Sequence, residues 1–400
     1  MRRPVHRPVR APALAPDPAT PAMPRCRPGR LASLLTAVLW TTLLGCGTDF
    51  DRYGLEIDGR TERSATVGLQ LTFEGSPLDP SDVSWSAAPD SMVEFTGTDS
   101  MTFIHAGEVN LTGETADERV HFQLTVPPPP AIVFDLLRDG NRDIWLAALD
   151  GRDTVRLTEH PADDSDPTAV GTTVVFVSYR DGNGELYSTT LDGGPAQRLT
   201  VTAVAELAPA LSLDAQQMTY TRSDGGVPKL WLAASDGSGA ARVTSSFGFP
   251  GSIEAGPNWH PDGDRIAFVS THLGSADLFA HTISTSSFAP LVPDSADRAE
   301  VEPTWSPDGT QLAFATDRPG DTEIYLLEIA TGELTRATNR PGSDGQPGWT
   351  TDGRLVFVSW ENGTPSLRWL DPVQPSVVYP IPVGAGQPRH PSGVFPRRDP

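Results

Sequence analysis

A short apolar run ending in an aromatic recurs through the last two-thirds of this 400-residue chain. It reads Ile132-Val133-Phe134, Val174-Val175-Phe176, Met218-Thr219-Tyr220, Ile266-Ala267-Phe268, Leu312-Ala313-Phe314 and Leu355-Val356-Phe357, and the step from one closing aromatic to the next is 42 to 48 residues. Eleven residues beyond each lies a second aromatic, Trp145, Tyr187, Trp231, Phe279 or Tyr325; in the last copy Arg368 stands there, beside Trp369. Such a fixed interval holds two strands in one register, because a one-residue slip turns every side chain to the other face. A period of about 40–50 residues built only of strands and turns is that of a propeller rather than of a helical solenoid. The last copy is degenerate or slightly re-registered.

Two further marks delimit each copy. Arg156-Leu157-Thr158, Arg198-Leu199-Thr200, Arg242-Val243-Thr244 and Arg336-Ala337-Thr338 close a unit, and Pro257-Asn258-Trp259, Pro303-Thr304-Trp305 and Pro347-Gly348-Trp349 open one. Pro167, Pro209 and Pro388 hold equivalent places. Proline suits the first residue of a strand, where its missing N–H need not enter the ladder. The Pro-Asp-Gly turns at 261–263 and 307–309, and Thr-Asp-Gly at 351–353, join the opening strand to the next. Each unit therefore reads as four short antiparallel strands. The first copy lacks an opening strand, and the segment Gly386-Gln387-Pro388-Arg389-His390-Pro391-Ser392-Gly393 supplies one from the other end of the chain. The expectation is all-β: a six-bladed propeller closed on itself, with no open sheet edge. Trp231, Trp259, Trp305, Trp349 and Tyr325 fall at core positions between blades.

These anchors, PTWSPDGTQLAF, PNWHPDGDRIAF and PGWTTDGRLVF followed by DLF, EIY and KLW and then RLT, resemble the WD-like repeat of TolB-type propellers over about residues 131–395. The resemblance implies a rigid disc with loops on two faces. Its relatives include periplasmic scaffold proteins and the propeller domains of some serine peptidases, so it does not select a function.

The N-terminal third has another texture. Residues 1–30 are rich in Arg, Pro and Ala, and Met1 and Met23 are both candidate starts. From Met23 the chain reads as a basic stretch and then an apolar run, Leu31 to Leu44, which is the pattern of an export signal and short for a membrane span. It ends in Leu43-Leu44-Gly45-Cys46-Gly47, which resembles the lipobox of bacterial lipoproteins. The resemblance implies that Cys46 is lipidated as the first mature residue, and Gly47 in place of Asp implies outer-membrane sorting in a Gram-negative cell. Cys26, the other cysteine, lies in the leader, so no disulfide is expected. Beyond it, Thr66 to Phe73, Val83 to Ser86 and His121 to Val126 alternate in hydrophobicity between turn signals, as in a small β-sandwich. With Gly97 and Ala106-Gly107-Glu108-Val109, this stretch resembles bacterial Ig-like domains, with Trp85 in the core. Pro127 to Pro130 reads as a stiff linker. The expected order is leader 1–45, lipidated N terminus and sandwich 46–126, linker 127–130, propeller 131–395 and tail 396–400.

The chain carries a formal charge of −21, and residues beyond 45 hold 23 basic against 50 acidic side chains. That balance argues against nucleic acid and anionic lipid as ligands. Acidic residues gather in the connections between blades, at Asp163, Asp164, Asp166, Glu206, Glu254, Asp294, Asp297, Glu300 and Glu302, and one acidic face is expected. Asp166, Glu302, Gln346 and Gln387 each precede a strand-opening proline, and are expected to ring the channel mouth as a binding face. There is no GxSxG elbow, HExxH, GxGxxG or paired cysteine, so no catalytic residue, metal or cofactor is assigned. The Ala162-Asp163-Asp164-Ser165-Asp166 run lacks the spacing of a calcium loop. His260 beside a Pro-Asp-Gly turn reads as structural, and His390 is expected in the corresponding place of the closing strand. The reading is an exported, lipid-anchored protein, periplasmic or at the cell surface. It binds a protein or other cell-envelope component through propeller loops, without catalysis. The alternatives are a carbohydrate- or peptide-active propeller enzyme and a structural surface component.

Overall fold

The computed structural model describes residues 53–58, 66–73, 76–103, 107–116, 119–126, 130–249, 251–292 and 298–398. Cys46, the leader, most of the proline linker, Asp294 and Asp297 lie outside them. Among the described residues no helix is long and apolar enough to cross a membrane. The chain divides into two compact units, Met1–Pro128 and Pro129–Pro400.

The first unit is a sandwich of two sheets. Tyr53–Asp58, Thr66–Phe73, Ser100–Phe103 and Val93–Phe95 form one, with Ser76–Pro77 paired to the second strand; Ser84–Ala88, Gly107–Glu114 and Arg119–Val126 form the other. Alternating residues of both, among them Leu69, Leu71, Met101, Val109, Leu111 and Phe122, meet in one core. Trp85 is half-buried against it, its ring centroid 6.5 Å from that of Phe122.

The second unit is an all-β propeller of six four-stranded antiparallel blades, the first two joined into one eight-stranded sheet by a short parallel pairing of Ala169 and Val170 with Val394 and Phe395. Blade one pairs Gln387–Phe395 with Ala131–Arg138, so the C-terminal segment closes the ring as the sequence expects. The opening strands of the other five are Asp164–Val170, Glu206–Leu211, Glu254–Trp259, Glu300–Trp305 and Asp344–Trp349. The apolar triplets form each second strand and are almost wholly buried, because they are covered on both faces. Aromatic faces aromatic across the next ladder: Phe134 pairs with Trp145, Phe314 with Tyr325. In blade six Phe357 pairs with Arg368 in the same register, so that copy is degenerate and not shifted. Arg368 finds a partner in Glu361 at 2.9 Å.

The Arg-x-Thr signature has a mechanical reason. The hydroxyls of Thr158, Thr200 and Thr338 accept the N–H groups of Ile144, Leu186 and Ile324 at 2.9 to 3.0 Å, pinning the fourth strand to the third. Arg156 and Arg336 reach back to the acid that begins the third strand, Asp143 at 2.6 Å and Glu323 at 2.7 Å. Trp259, Trp305 and Trp349 are buried between blades, as expected, and the indoles of Trp259 and Trp349 donate to the carbonyls of Ala210 and Thr304 in the preceding blade.

Two expectations are corrected. Pro167, Pro209, Pro257, Pro303 and Pro347 do not open the strands; each lies in mid-strand at a bulge where the ladder skips, as between Val301 and Thr304, and in the closing strand the bulge falls at Pro391 while Pro388 pairs in register with Leu136. A missing N–H is harmless there for the same reason as at a strand end. Nor do all the described acids of the connections reach a face: Asp163 and Glu302 are exposed, but others are not. Asp164, Glu206, Glu254 and Glu300 are fully buried between blades, where arginines and Lys229 enter beside them. The tail also engages the disc. The Arg398 backbone N–H donates to Leu213 at 2.8 Å, and its guanidinium donates to the carbonyls of Pro261 and Pro307 at 3.1 and 3.2 Å.

Candidate functional site

The six opening strands share one backbone irregularity. At each bulge the residue before the proline adopts the left-handed conformation: Asp166, Ala208, Gly256, Glu302, Gln346 and His390, with φ between 47° and 59°. That conformation costs an L-residue roughly 1–2 kcal/mol and comes readily only to glycine. Repeated six times, it turns six equivalent positions toward the axis, five of which carry a side chain. They line a cavity of about 210 Å³ with the six prolines and Trp259, Trp305 and Trp349.

Three of the four expected residues, Asp166, Glu302 and Gln346, stand in this ring. Gln387 does not. It pairs with Leu137, is exposed, and lies outside the ring, and its place is taken by His390 before Pro391. The closing strand carries two X-Pro dipeptides three residues apart, and Gly393 stands where blades four, five and six place tryptophan. No aromatic marks the register. His390 is therefore not the counterpart of His260, which is buried beside Trp305 with Nε2 3.1 Å from the Gly309 carbonyl.

What fixes the register of the closing strand is Asp135. It follows the first apolar triplet, at a position that is valine or alanine in blades two, four, five and six, and it is fully buried. His390 Nδ1 lies 2.6 Å from Asp135 Oδ1 and 3.1 Å from Asp166 Oδ1, and Arg142 pairs with the other Asp135 oxygen. Gln346 clasps the histidine from the other side: its Oε1 accepts the His390 backbone N–H at 3.1 Å and its Nε2 lies 2.9 Å from His390 Nε2. Glu302 Oε2 in turn accepts the Gln346 N–H at 2.6 Å. A continuous polar chain thus runs Glu302–Gln346–His390–Asp135–Arg142 along one side of the channel. Ala208 and Gly256 leave the opposite side without polar side chains.

Burial opposes a charged imidazole, but Asp166 and Asp135 outweigh it and push His390 up to about 9. Burial likewise opposes an ionised Asp135, yet His390 and Arg142 hold it below the ordinary carboxylate range. Asp166 and Glu302 are raised by burial. With every group ionised, three carboxylates face two cations, and one negative charge is left over. Asp135, Asp166 and His390 bring three donor atoms within 4.8 Å, a set that a divalent cation can use. A metal there has to displace the imidazole proton that joins both carboxylates and share Asp135 with Arg142. The ion network is the better description of these groups.

Comparison with known proteins agrees with this architecture. Residues 126–249 and 252–372 match the model of the TolB beta propeller domain. The Tol-Pal system protein TolB of Bordetella pertussis is 41% identical over 113 residues, 28% of this chain and 25% of that protein. The chain thus spans about a quarter of the length of the curated relatives it matches. Among solved structures, TolB from Acinetobacter baumannii superposes with a TM-score of 0.61 at 17% identity, covering 80% of this chain and 86% of that one. Hydrazine synthase of Kuenenia stuttgartiensis gives 0.54 at 13% identity, over 68% of this chain and 48% of that one. At these identities the structural likeness shows the fold alone. The family model covers more than half of the residues, and the chain belongs to the TolB beta propeller domain family.

Proposed function

We propose that this protein is an exported, lipid-anchored member of the cell envelope that binds an envelope protein or surface component at the channel mouth of its propeller, without catalysis. One observation carries the reading. Blades three and four satisfy the ring position with Ala208 and Gly256, so the fold needs no polar group there, yet the other four blades spend a left-handed conformation on Asp166, Glu302, Gln346 and His390. Strained, non-glycine backbone held by its surroundings is characteristic of functional sites. The uncompensated negative charge suits a cationic group on the partner. The export pattern and Cys46 support attachment of the N terminus to a membrane through lipid, and outer-membrane placement in a Gram-negative cell. The likeness to a Tol-Pal system protein supports an envelope protein as the partner class.

The test is capture from detergent-solubilised envelope by the full chain beside a variant with Asp166→Asn, Glu302→Gln and Gln346→Ala. A partner held by the wild type and lost by the folded variant supports the reading. Equal capture by both moves the site elsewhere, and capture of nothing by the wild type overturns it. For the anchor, Cys46→Ser is expected to move the protein from the membrane to the soluble fraction.

A further inference from the structure

Five of the six seams bring two equivalent positions together, and in four of them both are acidic. One lies at or near the start of a blade's third strand: Asp143, Glu185, Asp277 and Glu323, with Lys229 in blade three. The other begins the opening strand of the next: Asp164, Glu206, Glu254, Glu300 and Asp344, all fully buried. Two neighbouring carboxylates out of water need a cation or a proton between them. Three seams have a cation. Arg180 gives Asp164 two hydrogen bonds at 3.1 Å, Arg318 pairs with Glu300, and Lys229 Nζ lies 2.7 Å from Glu254. The arginines come from the fourth position after the blade's first aromatic, Phe176 and Phe314.

In the two remaining seams the opening acid has none. In blade three the fourth position after Tyr220 is Asp224, and in blade six the fourth after Phe357 is Glu361, which draws Arg340 away to itself at 3.0 Å. The carboxylate oxygens of Glu206 and Asp344 are buried and none accepts a hydrogen bond of good geometry: Thr200 and Thr338 lie close to them but give their hydroxyl hydrogens to Glu185 and Glu323, and Ser359 is near Asp344. Their opposite numbers are saturated. Glu185 accepts from Asn183, Thr200 and the Thr202 N–H and pairs with Arg198 at 3.2 Å; Glu323 accepts from Thr338 and Arg336. The donors of each seam are thus spent on Glu185 and Glu323, and the opening acids Glu206 and Asp344 are left without them.

We propose that the seams between blades two and three and between blades five and six each hold one proton, on Glu206 and on Asp344, and that the ring loosens at these seams when that proton is lost. Around Glu206 the other ionisable groups are Glu185 and Arg198 of blade two and Arg222 and Tyr220 of blade three, the Arg222 guanidinium lying 4.2 Å over the Trp231 ring. Around Asp344 they are Glu323 and Arg336 of blade five and Arg340. Burial, with Glu185 beside it, pushes Glu206 up to about 7; burial, with Glu323, pushes Asp344 up to about 6. A raised carboxyl stabilises the fold fully below the ordinary carboxylate range. That stability is lost as pH rises through about 6 for Asp344 and about 7 for Glu206. An exported propeller would thus tighten in an acidified medium. The inference is independent of what the channel binds.

The experiment compares the full chain with the Glu206→Gln, Asp344→Asn variant, whose amides copy the protonated forms. From the ordinary carboxylate range up to about pH 6 for Asp344 and about pH 7 for Glu206, the linked proton raises the wild-type unfolding constant by up to about tenfold per pH unit, and above those values the effect levels off. Asp166, Glu302, Asp143 and Glu300 add to that dependence, so the variant is expected to lose two protons' worth of it, and to be the more stable protein at the alkaline end. Infrared spectra of the folded wild type, which need no variant, are expected to show protonated carboxyl absorption vanishing over the same interval. A variant with the wild-type pH dependence overturns the proposal. So does a wild-type spectrum in which no carboxyl titrates there.

Discussion

Lys229 is the only lysine of the chain and lies almost wholly buried in the seam between blades three and four, 2% exposed. Its ammonium touches both Glu254 oxygens, at 2.9 and 2.7 Å, and donates to the Ser252 carbonyl. Removing one member of a buried ion pair costs about 3–5 kcal/mol, because the other charge stays behind unpaired. For Lys229→Met the lower end of that range applies, since Glu254 keeps the hydroxyls of Ser252 and Thr244 as donors. We expect a loss of about 3 kcal/mol at neutral pH by denaturant unfolding. Removing both charges with Lys229→Met and Glu254→Leu should recover most of it, because a packed apolar pair of similar volume is often as stable as the ion pair. The lysine also supplies its own probe. An amine-reactive reagent can modify this side chain only when the seam opens, so its labelling rate, read by mass spectrometry, reports local unfolding at one place in the ring. A loss below about 1 kcal/mol for Lys229→Met, or labelling as fast as in the denatured protein, would refute the reasoning.

Two further outcomes follow from the same geometry. The His390 imidazole is expected to titrate near 9 by NMR and to fall in Asp135→Asn; its stabilisation is complete below the ordinary histidine value and lost as pH rises through about 9, and a midpoint at that ordinary value would sink the ion-network description. Trp305→Ala empties a site 4% exposed between blades and should cost about 3–5 kcal/mol by denaturant unfolding, whereas an unchanged midpoint would remove Trp305 from the core.

The propeller was legible because its repeat is written in large apolar groups. Phe134 to Trp145 and its five copies must pair across one ladder, and an interval of eleven residues records that pairing directly. The channel site was half legible for a related reason. Asp166, Glu302 and Gln346 precede prolines that tryptophans two residues downstream, or equivalent spacing, place without ambiguity. His390 was misplaced by three residues because the closing strand has Gly393 in the tryptophan's position. A side chain there would collide with the Trp349 carbonyl, at 2.1 Å from a built Cβ, so glycine is required and the marker is lost. The signal that remained was Asp135, a lone acid in an apolar strand, whose partner stands 255 residues away.

The seam acids were misread for the opposite reason, since nothing about Asp164 or Glu300 taken alone distinguishes a buried carboxylate from a solvated one. The distinction lies in a second residue at fixed phase. An arginine four positions after the first aromatic occurs in blades one, two and five; Arg138 donates to the carbonyls of Val383 and Ala385, whereas Arg180 and Arg318 each enter the seam of their own blade's opening acid. A repeat protein thus records charge pairing as it records packing, by period, and a blade that keeps the acid but loses the arginine identifies itself as the exception. By that criterion Glu206 and Asp344 could have been singled out from the sequence, because Asp224 and Glu361 stand where a cation is required. The same criterion applied to blade four finds His272 in the arginine's place, and the lysine that compensates, Lys229, comes from the preceding blade. Five seams with one carboxyl problem and three kinds of answer argue that the acids are common to the architecture, and that the means of neutralising them is what varies from blade to blade.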